Sequence, residues 1–256
     1  MSPPLHIHTF GPEDAPVLLA LHGVTGHGRR WQPLADTHLP KYRVLAPDLR
    51  GHGRSTPLPP WTLEQHAADL LSLIDNCQLD AVPVVAHSFG GAVALHLLRL
   101  APGRVSKLVL LDPAIGLPAA LALARASQPQ RLFASHQQAR EAQRYDWPTI
   151  GEEAIAEELA AHLERVGQQW RFRYCAPAVA TAWSELARAA VLPRPGTPTL
   201  LVRALREQYV SPAFVKGCQL ALGDDFSLVE MDCGHMMYLE RPEEVAALVT
   251  DFVGQG

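Results

Sequence analysis

Residues 82–91, VPVVAHSFGG, constrain the fold more than any other stretch of the chain: an apolar β-branched run, then a serine flanked by small residues, then a helical pattern. Val82, Val84 and Val85 read as a buried strand and GGAVALHLLRL, from Gly90, reads as a helix, which puts Ser88 at the apex of a strand-to-helix turn. In such a turn the backbone doubles back so tightly that bulky neighbours collide, and Ala86 and Gly90 stand two residues to either side. Glycine is usual at the first of these positions; alanine is the next smallest residue and suits a strand end. The helix start brings free N–H groups and the positive end of a dipole to the serine hydroxyl, which favours negative charge there. No other serine or cysteine of the chain lies in a small-x-nucleophile-x-small turn on a strand end.

Short apolar runs recur at 17–21, 44–46, 108–111, 199–202 and 227–231. They are nearly continuous rather than alternating, the pattern of strands buried on both faces of a parallel sheet. Helical patterns lie between them. Thr62 and Gln65 form a capping box ahead of Leu63, Ala67, Leu70, Leu71 and Ile74. Near the C-terminus, Pro242 suits a first helical turn, Val245, Leu248, Val249 and Phe252 make one face, and Gly254 stops the helix. This alternation predicts an open, mostly parallel α/β sheet. His6 and His8 alternate on a predicted edge strand.

The alternation breaks between Pro113 and about Pro195, where the chain favours helices and groups aromatic residues, Phe133, Tyr145, Trp147, Trp170, Phe172, Tyr174 and Trp183. About 80 residues is too long for a single crossover, which needs a dozen or more. The expected organisation is a core of residues 1–112 and 191–256 with a helical lid of 113–190 over the strand C-termini, where ligands bind in such sheets.

Composition narrows the function classes. With 256 residues, 48% hydrophobic, 19% charged and a net charge of −4, the chain can build a large core and offers no electrostatic case for nucleic acid or an anionic membrane. The first residues lack a basic stretch followed by an apolar core, and no eighteen apolar residues run together, so a cytoplasmic protein with no membrane partner is expected. Cys77, Cys175, Cys218 and Cys233 are scattered and read as free thiols.

Four ordered motifs, LALHGVTG (19–26), DLRGHGRS (48–55), AHSFGG (86–91) and GHMMYLERPEE (234–244), resemble the α/β-hydrolase superfamily, in particular its esterase-like branch with a helical cap. The resemblance covers nearly all of the chain outside the cap. It implies an eight-stranded mostly parallel sheet, a cap after the sixth strand, and a triad in chain order serine, acid, histidine. Ser88 is then the nucleophile and His235, in the loop after the last strand, the base. The acid falls at Glu207, in the loop after TLLVRA, with Asp112, at the end of LVLLD, as the alternative. The N–H groups of Val24 and Phe89 are the expected oxyanion hole. Val24, Phe89, Trp147, Trp183 and Met236 are expected to bind substrate. Asp48, Arg50 and His52 read as residues that hold their own loop together, and two histidines without further ligands are weak grounds for a metal. No cofactor or metal is called for.

The expected function is hydrolysis of a small, largely apolar ester through an acyl-enzyme. The same residues suit thioesters, lactones, amides and β-diketone C–C bonds, or a slow-turnover receptor that only binds its ligand. The partner in each case is a small molecule; oligomeric state is left open.

Overall fold

The computed structural model describes residues 4–254. In chain order the elements are β1 (Ile7–Phe10), β2 (Val17–Leu21), α1 (Gln32–His38), β3 (Arg43–Pro47), α2 (Leu63–Asn76), β4 (Val82–His87), α3 (Phe89–Leu100) and β5 (Val105–Leu111). Then come α4 (Ala119–Ala126), α5 (His136–Asp146), α6 (Glu152–His162), β6 (Leu163–Val166), β7 (Gln169–Phe172) and α7 (Ala176–Leu186). The chain closes with β8 (Thr199–Ala204), α8 (Pro212–Leu222), β9 (Phe226–Met231), α9 (Met237–Glu240) and α10 (Pro242–Gly254).

The central sheet runs β1-β3-β2-β4-β5-β8-β9; β1 is antiparallel to β3 and the other neighbours are parallel. All six apolar runs are strands of this sheet. Alternate side chains of each strand go to opposite faces. Leu19, Leu21, Val84, Ala86, Leu108 and Leu110 pack with α2 and α3 on one face. Leu18, Ala20, Val85, Val109 and Leu111 pack with α1 and α10 on the other. Thr62 caps α2 as expected: its hydroxyl accepts from Gln65 N–H at 3.2 Å.

Two expectations need correction. The described sheet has seven strands, not eight, because only β1 precedes the parallel set, and the inserted segment therefore follows the fifth strand. That segment is also not wholly helical. The run 152–166 stays helical only to His162; Leu163–Val166 then pairs with Gln169–Phe172 in a hairpin that turns at Gly167, whose φ of 60° suits glycine. The insertion keeps a small apolar cluster of its own, with Phe133, Ala139, Ile150, Ile155, Leu159 and Leu163 buried. Among the described residues no helix is long and apolar enough to cross a membrane.

Candidate active site

Strand register assembles the site. β4 and β5 pair with His87 opposite Leu111, so the next residue of each strand, Ser88 and Asp112, leaves the C-terminal edge of the sheet beside the other. β9 ends at Met231 opposite Ala204 of β8, and the loop that follows carries His235 back over the same edge. Ser88 has φ 53° and ψ −118°, and Asp112 has φ 41°. Non-glycine residues held at positive φ cost on the order of 1–3 kcal/mol each and persist only where the surroundings impose them. At Ser88 the crossing backbone imposes it: a Cβ on Gly90 would sit 2.8 Å from the main chain of Leu21 and His22, so only glycine lets the elbow approach β2.

The three side chains form a relay. Asp112 Oδ2 lies 2.6 Å from His235 Nδ1, and His235 Nε2 lies 2.9 Å from Ser88 Oγ. A carboxylate can only accept, so Nδ1 carries the hydrogen and Nε2 presents its lone pair to the serine hydroxyl. Burial pushes the His235 imidazole below its ordinary value, with the Arg125 charge acting in the same direction, and this keeps Nε2 unprotonated. Burial raises the Asp112 carboxyl, which the Ala204 N–H at 3.2 Å from Oδ1 opposes. The arrangement can take a proton from a hydroxyl and hold the imidazolium that results.

Glu207, expected to be the acid, does not hold the imidazole. Its loop runs along the main-chain side of the His235 segment, where its half-buried carboxyl, raised by burial, meets the His235 backbone N–H. The alternative, Asp112, occupies the Nδ1 side because its positive φ turns the carboxylate up from the strand end. Phe89 is corrected as well: its side chain is fully buried against His66, with ring centroids 5.2 Å apart, and lines no part of the cavity. Its N–H is at the start of α3, where a helix has no acceptor of its own. Among the described residues no protein acceptor takes the Val24 N–H either.

A cavity of about 450 Å³ opens over Ser88 and His235. Val24, Trp147, Trp183 and Met236 line it as expected, but so do Arg30, Arg125, Arg131, Gln128 and Gln143. The wall is mixed, not largely apolar.

Other expectations find plain structural roles. Asp48 accepts from Gly28 N–H at 2.7 Å and Arg54 N–H at 2.8 Å, and Arg50 grips Asp69 with two bonds of 2.6 and 2.7 Å. His22 accepts from Leu49 N–H at Nε2, 2.9 Å, tying the loop that bears Val24 to the DLRGHGRS loop. Two neighbours support His235, of which the sequence marks His87, expected beside Ser88 as a supporting or core residue, but not Tyr209. His87 Nε2–H donates to the His235 carbonyl at 2.8 Å, and the Tyr209 ring packs on the imidazole at 4.4 Å. Adjacency to Ser88 is the signal for His87; nothing local marks Tyr209. Burial pushes the Cys233 thiol up to about 11, so it is no rival nucleophile.

The model of the alpha/beta hydrolase family matches residues 17–248. The chain is an α/β hydrolase. This hydrolase is 41% identical over 257 residues to lipase LipV of Mycobacterium tuberculosis (strain ATCC 25618 / H37Rv), a match covering 98% of each chain. Among solved structures, E-2-(acetamidomethylene)succinate hydrolase aligns with a TM-score of 0.83 and 22% identity over 98% of this chain and 95% of that one. A marine microorganism esterase aligns with a TM-score of 0.76 and 21% identity over 97% and 99%. Both share the hydrolase's fold.

The hydrolase joins its inserted segment to the sheet through a buried ionic cluster. Glu158 of α6 binds Arg30 through Oε2–Nε at 3.0 Å and Oε1–Nη2 at 2.6 Å, and also meets His27 at 3.0 Å and His162 at 3.1 Å. His27, Glu158 and His162 have the residue types of a metal site. The Arg30 guanidinium already neutralises Glu158, so a second cation there would meet a like charge. His6, His8 and Asp48 also cluster, but both Asp48 oxygens are bound to backbone N–H groups.

Proposed function

We propose that the protein is a serine hydrolase of the carboxylesterase type. The observation that carries this reading is the continuous relay from Asp112 through His235 to the Ser88 hydroxyl, at 2.6 and 2.9 Å. The lipase named among its relatives agrees with an ester as the bond cleaved.

Each step follows from the residues. His235 Nε2 removes the Ser88 proton as Oγ attacks the ester carbonyl carbon. The N–H groups of Val24 and Phe89 receive the carbonyl oxygen as it becomes an oxyanion; one such donor contributes about 3–4 kcal/mol to the transition state. Asp112 stabilises the positive charge on His235, which then protonates the leaving alcohol. An acyl group remains on Ser88 Oγ. Water, deprotonated by the same imidazole, attacks that acyl carbon; the bond to Ser88 Oγ breaks, the imidazolium returns the proton to Oγ, and the acid is released. The segment 113–190 acts as the cap: Trp147 and Trp183 close the cavity from above, and residues 1–112 and 191–256 supply the reacting groups.

The test is release of p-nitrophenol from short-chain p-nitrophenyl esters. Turnover by the wild type that vanishes in Ser88→Ala supports the reading. Ligand binding that is alike in both proteins, with turnover in neither, would make the protein a receptor instead.

A further inference from the structure

Three arginines face the cavity that holds Ser88, and their surroundings differ. Arg30 is neutralised by Glu158. Arg131 pairs with Asp146 through Nη1–Oδ2 at 2.6 Å. Arg125, from the C-terminal turn of α4, has no carboxylate oxygen within 4 Å among the described residues. Its guanidinium lies 5.9 Å from the centroid of the Trp183 ring and within hydrogen-bonding reach of Tyr209, whose own ring packs on His235. The head group thus lies on the exposed side of the cavity, beside two of its aromatics.

We propose that the site takes an ester bearing a carboxylate or comparable anion at the end away from the scissile bond, and that Arg125 recognises that anion. This rests on the serine-hydrolase reading above and adds the substrate class to it. A guanidinium offers a planar fork of N–H donors that matches a carboxylate through two parallel bonds. Among the described residues no carboxylate occupies the Arg125 fork, which leaves it available to a ligand. Glu207, also on the wall, would repel an anion when ionised; burial and the nearby Asp112 charge raise its carboxyl, which lessens that opposition, while Arg125 acts on it in the other direction. The second consequence is on the base. The Arg125 charge disfavours the imidazolium of His235, and an anion bound to the guanidinium relieves that effect just as the imidazolium must form.

The experiment compares two esters of the same chain length, p-nitrophenyl pentanoate and mono-p-nitrophenyl glutarate. The wild type should give a higher kcat/KM for the glutarate, and Arg125→Gln should lower the glutarate-to-pentanoate ratio at least tenfold, chiefly through KM. Arg125→Lys, which keeps the charge and loses the fork, should fall between. Glutarate itself should inhibit the wild type competitively and Arg125→Gln at least tenfold less well. Ser88-dependent turnover with an unchanged ratio in Arg125→Gln overturns this proposal and leaves the hydrolase reading standing. Absence of Ser88-dependent turnover with either ester overturns both.

Discussion

At the residue scale the choice between two carboxylates decides the mechanism. Asp112 touches Nδ1 and Glu207 touches only the main chain of the same histidine. Asp112→Asn should therefore lower kcat by about 10⁴, since an amide there no longer holds the imidazole in its working tautomer. Glu207→Gln should cost less than about tenfold, and steady-state kinetics on one neutral ester ranks them. The reverse ranking would return the acid to Glu207. The imidazole also sets a pH signature. A folded-state value below 6.5 means His235 is still neutral, and active, at pH 6.5. Burial raises the Asp112 carboxyl at the same time, so the two groups titrate as one pair, and a pH profile of kcat/KM should place the acid-side fall at lower pH in Asp112→Asn, where no carboxylate supports the imidazolium. Sequence pattern put Ser88 and His235 forward, and the fold brings their side chains to 2.9 Å, but pattern did not show which acid reaches Nδ1. The loop after β8 holds a carboxylate at the familiar place, and the side chain that succeeds does so through a φ of 41° at a strand end and through the β4–β5 register. Neither is written in local composition.

At the scale of elements, the cluster around Glu158 joins α6 to the loop before α1. Removing one partner of a buried pair leaves an uncompensated charge, at a cost of about 3–5 kcal/mol. Glu158→Gln should lower stability by that order in urea unfolding at pH 7.5. Replacing Glu158 and Arg30 together by apolar residues should cost clearly less than the single change, because no unpaired charge remains. The elements were readable where burial pattern and turn chemistry agreed, as at the Thr62 cap and the six apolar runs. They were misread at 163–166, where Leu-Glu-Arg-Val continues a helical pattern. There the β6–β7 pairing and the turn at Gly167 override it.

Across the whole molecule, an unusual number of histidines is kept neutral by burial. His27 and His52 are pushed down to about 4, and His66 to about 3. Each binds a proton in the unfolded chain below pH 6.5 but not in the folded one, so stability is full above 6.5 and lost as pH falls toward 4. At pH 5.5 these three should together remove about 4 kcal/mol, a large part of a total of roughly 5–15 kcal/mol. Urea midpoints at pH 7.5 and 5.5 check this; equal midpoints would contradict it. The molecule-wide arrangement, a parallel sheet with an inserted segment above its edge, followed from strand–helix alternation and four ordered motifs. The polar wall of the cavity did not, because Arg30, Arg125 and Arg131 converge only through the packing of that segment.

The central claim is that Ser88 carries the acyl group and needs the imidazole to do so. Treatment with a fluorophosphonate at neutral pH, followed by intact-mass and peptide mass spectrometry, tests it directly. One adduct per chain, mapped to the peptide containing Ser88 and formed far more slowly in His235→Ala, is the predicted result. An adduct on another residue, or labelling of Ser88 at the same rate without His235, would contradict it.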